Sequence, residues 1–426
     1  MLCKMKATLF ILVYVMSLGC IYAQEVNCVE KQKELSSLVK QSKFKEANEL
    51  LSILRKKCPT ESEEFYLLGI TTLQNNVDLA SATTKEAAVR DLLKLYDQYD
   101  ANFPNNKNGN LVNKAMTLYD SNIRDNKELY AILNKAFTSN PDQFTNPKAL
   151  YIYFRLYNVK FKNKDAGITL EQLLEKLNEV ETVIQKNSPA FPEKAVEFKN
   201  ASRACKSLVK DSLTPENLIP MAEKNFDANS KNTEWLAATA NLLSDKCAAS
   251  PIFGKIATQL HELQPTSKSA YHLGNYNLKN QKIKKAVDYF SQAATLETDK
   301  AEKAKTYSTI ATIVAATDKK EARNMILSAI ENDAKNGSYY LFLANLYSNS
   351  ITECGTTNSM IQKAICLLAN QTAQKAAEVE PRLKATAEQL AKEYAKNSPT
   401  KEELEQIQKT GGKVTIGCWI NETVQF

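Results

Sequence analysis

The sequence predicts an all-α fold in which helical hairpins stack into a solenoid, and two observations favour it. Within residues 269–299, Gly274 and Ala286 are small residues spaced so that two helices can cross closely, and Phe290 is placed to fill the gap beside the crossing. The chain of 426 residues has only 11 Gly and 12 Pro, which suits long helices. Because one hairpin cannot bury its own apolar faces, similar hairpins are expected on both sides at a period of about 34 residues.

Hairpins with the same spacing occur on both sides of this stretch. Upstream, Trp235 stands at the anchor position of a first helix, and residues 253–265 supply its second helix. Downstream, Tyr340 and Ala344 match a first helix, and residues 369–381 follow after an insertion as the second. The predicted packing residues of the repeats are Trp235, Gly274, Ala286, Phe290, Tyr340 and Ala344.

The N-terminal half is less regular. Residues 30–59 and 63–104 form recognisable hairpins, whereas the anchors fade between 146 and 229 although apolar residues keep helical spacing. The total is about nine hairpins. The tail 413–426 changes to β-branched and aromatic residues with a period of two, which predicts an extended segment that caps the last helices. The predicted divisions are a signal peptide at 1–23, divergent repeats at 24–230, well-formed repeats at 231–383, and capping helices with the extended tail at 384–426.

The chain begins with a segment typical of an export signal. Two lysines precede an apolar run at 7–19, and Ala23 offers a small residue for cleavage. The run is short for a membrane span. Cys20 would be acylated in a lipoprotein, but Ser17 stands where such signals usually carry Leu, which favours cleavage after Ala23. We therefore expect an exported protein that is periplasmic, associated with the outer membrane, or secreted.

The charge of the chain gives little sign of a nucleic-acid partner. Its formal charge of +7 falls to +5 when Lys4 and Lys6 leave with the signal, and the remaining basic residues are scattered among acidic ones. A nucleic-acid-binding domain instead gathers its basic residues on one face. We therefore predict no nucleic-acid binding, and membrane association only through a partner or an acylated Cys20.

The cysteines predict a disulfide framework, because an exported chain meets oxidising conditions. Cys28 and Cys58 are equidistant from the turn at 41–43, so an antiparallel hairpin would bring them within bonding distance. Cys205 and Cys247 fall near the C-terminal ends of consecutive first helices, which run side by side in a repeat stack. We predict both pairs.

A third predicted disulfide would hold the tail on the stack, because Cys354 follows the first helix of the last repeat and Cys418 lies in the tail. Cys366 lies among apolar residues of a second helix, where a buried free thiol is expected. The cysteines form no CxxC pair and the chain has only two His, which disfavours a zinc site. We predict no metal.

No catalytic pattern is recognisable in the sequence. A glycine-rich phosphate loop, HExxH, GxSxG and a paired-carboxylate motif are all missing. His261 and His272 fall at positions typical of surface or packing histidines. We therefore predict that the protein is not an enzyme and uses no cofactor; a hydrolase would require an unrecognised site within 104–230.

Several motifs together resemble exported tetratricopeptide-repeat (TPR) proteins of the Bacteroidetes. They are the first hairpin framed by Cys28 and Cys58, the segment TPENLIPMAEKNF before Trp235, YHLG, LETDKAEKA and the terminal IGCWI. The resemblance implies an exported repeat protein without a known reaction, and a possible O-glycosylation sequence at 211–213. Cys366 departs from the pattern, since an aromatic residue is expected there.

In a TPR stack the first helices line a concave groove, and their exposed positions face a ligand. Those positions in the best repeats are Lys268, Tyr271, Asn275, Lys305 and Asn345. Lysine and asparagine together can hold a carboxylate or a peptide backbone, although a merely solvated face has the same composition. The leading hypothesis is a non-enzymatic scaffold that binds a protein or peptide partner in the groove. The alternative is a glycan-binding surface lipoprotein for nutrient capture, which needs an acylated Cys20 and exposed aromatic residues.

Overall fold

A computed structural model describes residues 27–426 except 124, 356–358, 398 and 410. The predicted signal peptide and Cys20 lie outside the described residues. The chain divides into two compact units, one ending at Gln143 and the other beginning at Phe144. The sequence predicts that the repeats become well formed after residue 230. The division into compact units after Gln143 does not test that boundary, which stays a prediction.

The described part of the first unit consists of three consecutive helical hairpins. Its helices are α1 (Cys28–Lys40), α2 (Phe44–Lys57), α3 (Glu63–Leu79), α4 (Lys85–Asn102), α5 (Asn110–Asp120) and α6 (Asn126–Ser139). Each odd-numbered helix packs on the next, and Leu51 and Leu95 are buried on either side of Gly69 where the first two hairpins meet. The predicted disulfide between Cys28 and Cys58 is formed, with Cα atoms 5.7 Å apart.

The second unit begins with four helices that do not form regular hairpins. They are α7 (Pro147–Lys162), α8 (Leu170–Ala190), α9 (Ala195–Leu208) and α10 (Pro215–Asn229). Helix α8 is 21 residues long and starts with a capping box between Thr169 and Gln172. It contacts α7, α9 and α10, and it also packs on the following first helix, α11 (Thr233–Leu243).

Regular hairpins follow from α11 onward. The remaining helices are α12 (Pro251–Leu263), α13 (Ser267–Lys279), α14 (Ile283–Leu296), α15 (Lys300–Val314), α16 (Lys319–Asn332), α17 (Gly337–Ser348), α18 (Ile351–Gly355), α19 (Ser359–Val379), α20 (Lys384–Ala395) and α21 (Lys401–Lys409). Short α18 is the predicted insertion between the two helices of the last repeat. The predicted all-α fold of TPR-like hairpins is confirmed.

The helix crossing predicted from the sequence is present between α13 and α14. A Cβ atom on Gly274 would lie 2.7 Å from Cδ1 of Phe290, so only glycine fits. Phe290, Ala286 and Ala344 are buried, as is Trp235. Tyr340 is only half-buried, because its neighbour Tyr339 takes the buried position in α17.

The tail forms a two-stranded antiparallel hairpin, β1 (Lys413–Ile416) and β2 (Glu422–Gln425), with Val414 opposite Val424. Ile416 and Val424 are buried in a cluster with residues of α15 to α20. The predicted Cys354–Cys418 disulfide ties this hairpin to α18, and Arg323 of α16 pairs with Glu422. The predicted extended capping segment is therefore confirmed.

The predicted disulfide between Cys205 and Cys247 is not formed, since both are buried free thiols. The prediction assumed that α9 and α11 lie side by side as consecutive first helices. Helix α8 instead packs along α11. Cys366 is a buried free thiol, as predicted.

Candidate functional site

A cavity of about 520 Å³ lies in the second unit among helices α8, α9, α11 and α13. We call it the lysine cavity, because three lysines from two helices line it. Their neighbours in the lining are mostly small or polar. The residues that matter for its chemistry are Gln185 and Ser188 of α8, Lys199, Ser202 and Lys206 of α9, Asn241 of α11, and Lys268 of α13.

Helix α9 presents its polar face to the cavity because its other face is buried. Lys199 and Lys206 are seven residues apart and therefore lie on the same side of the helix, about 10 Å apart along its axis. Phe198 and Cys205, each next to one of these lysines in sequence, are fully buried. The amphipathic pattern of one helix thus places two cations along one wall.

One of the three lysines already has an anionic partner. Glu181 of α8 is fully buried, and its Oε2 lies 3.2 Å from the Lys206 ammonium. The Ser202 hydroxyl donates to the same oxygen at 2.9 Å. A buried carboxylate is costly unless it is paired and hydrogen-bonded, so Glu181 holds Lys206 and Ser202 in place.

The other two lysines have no carboxylate partner among the described residues. Lys199 and Lys268 both keep solvent-exposed side chains. Partial desolvation inside the concave wall lowers the pKa of Lys268, and the nearby cations Lys206 and Lys199 lower it further, while Glu181 opposes them. Three ammonium groups against one carboxylate leave the lysine cavity with excess positive charge.

The sequence-predicted ligand residues divide between the cavity and the helix contacts. Lys268 lines the lysine cavity, whereas Tyr271, on the same helix, packs edge-to-face on Phe290 at 5.0 Å and is 38% exposed. The Asn275 amide donates to the Ser244 carbonyl at 3.1 Å, linking α13 to the end of α11. Asn275 is therefore engaged within the protein.

The two predicted ligand residues beyond α13 also have partners. Lys305 is exposed and pairs with Glu302 at 2.7 Å. The Asn345 amide oxygen accepts a hydrogen bond of 2.8 Å from the Tyr394 hydroxyl of α20. The structure thus brings one of the five predicted residues, Lys268, into the cavity.

We did not predict from the sequence that Lys199, Lys206 and Asn241 line a cavity. The signal on α9 was present: Lys199, Ser202 and Lys206 recur at intervals of three and four residues, as on one helix face. The same pattern describes a solvated face, and it becomes the wall of a cavity because α8, α11 and α13 pack around it.

The two histidines have structural positions. His272 is buried edge-to-face against Phe253, with ring centroids 5.8 Å apart. Burial, and next the Lys268 cation, lower the pKa of His272 to about 3, so the ring is neutral. His261 shares a hydrogen bond of 2.8 Å with the Ser269 hydroxyl. The same hydroxyl belongs to the capping box that Ser269 forms with Thr266 at the start of α13.

The described residues lack two further kinds of feature. They contain no cluster of three His, Cys, Asp or Glu side chains that could hold a metal ion. None of their helices combines the length and apolar character of a membrane-spanning segment.

No protein-family model matches this chain, and no curated protein does. Among solved structures, it is similar to a tetratricopeptide repeat protein from Parabacteroides merdae at 16% identity, covering 66% of this chain and 96% of the other with a TM-score of 0.28. Yeast Tom70 is similar at 14% identity, covering 90% and 94% with a TM-score of 0.26. At such TM-scores these similarities carry no argument, and the fold assignment rests on the helix packing described above.

Proposed function

We propose that this protein is a non-enzymatic repeat scaffold of the cell envelope or the secreted fraction, and that it binds a protein or peptide partner at the lysine cavity. The observation that carries the proposal is the pair of solvent-exposed ammonium groups, Lys199 and Lys268, left without a carboxylate partner in a concave wall. Surface lysines usually have solvent or nearby acids around them, whereas these two point their charge into a shared recess that a partner can fill.

The chemistry of the cavity favours binding over catalysis. In the cavity, the Ser202 hydroxyl donates to a carboxylate that is fully buried and paired with Lys206. A nucleophilic serine needs a base that can take its proton and an oxyanion site beside it. Here the Glu181 carboxylate instead pairs with the Lys206 ammonium.

Export is supported by the two disulfides, Cys28–Cys58 and Cys354–Cys418. Such bonds form and persist in oxidising compartments and are rare in the cytosol. The proposal of an envelope or secreted location also depends on the leader at 1–23, which lies outside the described residues.

Site-specific photo-crosslinking tests the proposed function. A photoreactive residue at position 271 lies one helical turn after Lys268 on α13 and is partly exposed, and the same residue at Lys284 of α14 is an exposed control. In cells of the source organism, we expect one defined protein adduct from position 271 and none from position 284. The adduct should disappear when Lys199 and Lys268 are both changed to Glu. Identical adducts from both positions, or none from either, would count against a partner bound at the lysine cavity.

The glycan-binding alternative finds less support. Sugar rings stack on exposed aromatic side chains. Among the exposed large apolar side chains of the described residues, Tyr271 is the one aromatic, and it also packs on Phe290. Cys20, whose acylation this alternative requires, lies outside the described residues.

A further inference from the structure

We propose that the lysine cavity recognises an acidic peptide segment, whose carboxylates pair with Lys199 and Lys268. This inference rests on the proposed function, because it takes the partner to be a protein, and it adds the chemistry by which the partner is recognised. Three features of the cavity favour such a ligand: its unpaired positive charge, the spacing of its cations, and the hydrogen-bonding groups that surround them.

The charge of the cavity calls for more than one negative group. Glu181 is committed to Lys206 and Ser202, and among the described residues it forms no ion pair with Lys199 or Lys268. Two ammonium groups therefore remain. Desolvation lowers the pKa of Lys268, and repulsion from the Lys206 and Lys199 cations lowers it further. An incoming carboxylate relieves this repulsion.

The positive groups are spread over a length that suits a chain rather than a single ion. Lys199 and Lys206 are two helical turns apart along α9, about 10 Å, and Lys268 projects from a different helix. A volume of about 520 Å³ is larger than one carboxylate needs. An extended peptide advances about 3.3 Å per residue, so about three peptide residues match this length of α9 and can present carboxylates to cations from both helices.

The neutral groups in the lining suit a peptide backbone. Gln185, Ser188 and Asn241 provide amide and hydroxyl groups that can both donate and accept hydrogen bonds. Ala195, the first residue of α9, also lines the cavity, so the positive end of that helix dipole adds to the attraction for an anion. The lining contains no arginine, the residue that grips phosphate in a bidentate manner. Carboxylates on a peptide are therefore favoured over a phosphorylated ligand.

Direct binding measurements with a synthetic probe test the inference. The probe is a fluorescent peptide of alternating Glu and Gly, and its matched control carries Gln in place of every Glu. Fluorescence anisotropy with the mature chain should show the Glu peptide binding at least about tenfold more tightly than the Gln peptide, a difference of about 1.4 kcal/mol. The affinity should fall as salt is raised, because the contacts are partly exposed ion pairs.

Variants assign the binding to the cavity. Lys199→Gln with Lys268→Gln should weaken the Glu peptide about tenfold or more, and circular dichroism should show an unchanged fold, because neither lysine has a structural partner among the described residues. Lys284→Gln with Lys285→Gln removes the same charge from exposed positions on α14 and should leave the affinity unchanged. An equal loss in both double variants would overturn the site.

Competitors separate the possible ligand classes. Inorganic phosphate and a sulfated oligosaccharide are added to the peptide complex, and are also tested alone. Binding of either one through Lys199 and Lys268, with no binding of the Glu peptide, would overturn the acidic-peptide assignment. If no probe binds but the crosslinked partner at position 271 is still found, the partner is recognised by other chemistry. That result refutes this inference and leaves the proposed function standing.

Discussion

The second unit contains two neighbouring regions that are built differently, α7 to α10 and α11 to α16. In the regular region each helix packs on the helix before it and the helix after it, with the close crossing at Gly274 and Phe290 as the best-formed example. In the irregular region the long helix α8 reaches past its neighbours to contact α11. The lysine cavity lies at this junction. Regular helix packing therefore forms the stable framework, which is the stack α11 to α16, and the break in regularity forms the lysine cavity.

The largest effect is expected from the framework. Phe290 is fully buried between α13 and α14, so Phe290→Ala removes the ring and leaves a cavity at the crossing. Such substitutions lower the free energy of unfolding by about 3–5 kcal/mol. Urea unfolding followed by circular dichroism measures the change.

The control for this prediction is the double variant Lys199→Gln and Lys268→Gln. Its side chains are exposed, and we expect its unfolding free energy to stay within about 0.5 kcal/mol of the wild-type value. If the lysine variant lost as much stability as Phe290→Ala, Lys199 and Lys268 would have a structural role, and the lysine cavity could not be separated from the stabilising helix packing.

The helical hairpins were largely predictable from sequence, because the residues that specify each hairpin lie close together in the chain. Gly274 and Phe290 are 16 positions apart in one hairpin, and the turn between Cys28 and Cys58 sets their pairing. The lysine cavity was not predictable in this way. Two errors have one cause, namely the predicted disulfide between Cys205 and Cys247 and the overlooked Lys199. Both depend on where α8 packs, and residue spacing in the sequence does not specify that position.

The second prediction concerns a buried polar group in the regular region. The pKa of His272 is lowered to about 3 in the folded protein, against about 6.5 in an unfolded chain. The unfolded state therefore binds more protons below pH 6.5, and stability is lost as the pH falls from there towards 3. At pH 5 the loss attributable to His272 is about 2 kcal/mol.

His272→Leu removes this linkage and places an apolar side chain against Phe253. Urea unfolding of both proteins at pH 7 and pH 5 gives the comparison, in which groups common to both cancel. The variant should gain about 2 kcal/mol relative to wild type on going to pH 5. An unchanged difference between the two proteins would mean that His272 is not held neutral.

The smallest expected effect tests the contact that joins the irregular region to the regular one. Asn178 of α8 donates to the Thr239 hydroxyl of α11 at 3.1 Å, and both side chains are buried. The Thr239 hydroxyl in turn donates to the Trp235 carbonyl at 2.8 Å. A double-mutant cycle with Asn178→Ala and Thr239→Val should give a coupling of about 1 kcal/mol, the net contribution of a buried hydrogen bond.

A matched cycle combines Asn178→Ala with Thr306→Val. Thr306 is also a buried threonine, and its hydroxyl donates to the Glu302 carbonyl of its own helix at 3.1 Å, but it lies in α15, away from α8. Its coupling to Asn178 should stay below about 0.5 kcal/mol, as for independent sites. Equal coupling in the two cycles would show that this hydrogen bond does not hold α8 on α11, and that the placement of the recess depends on apolar packing alone.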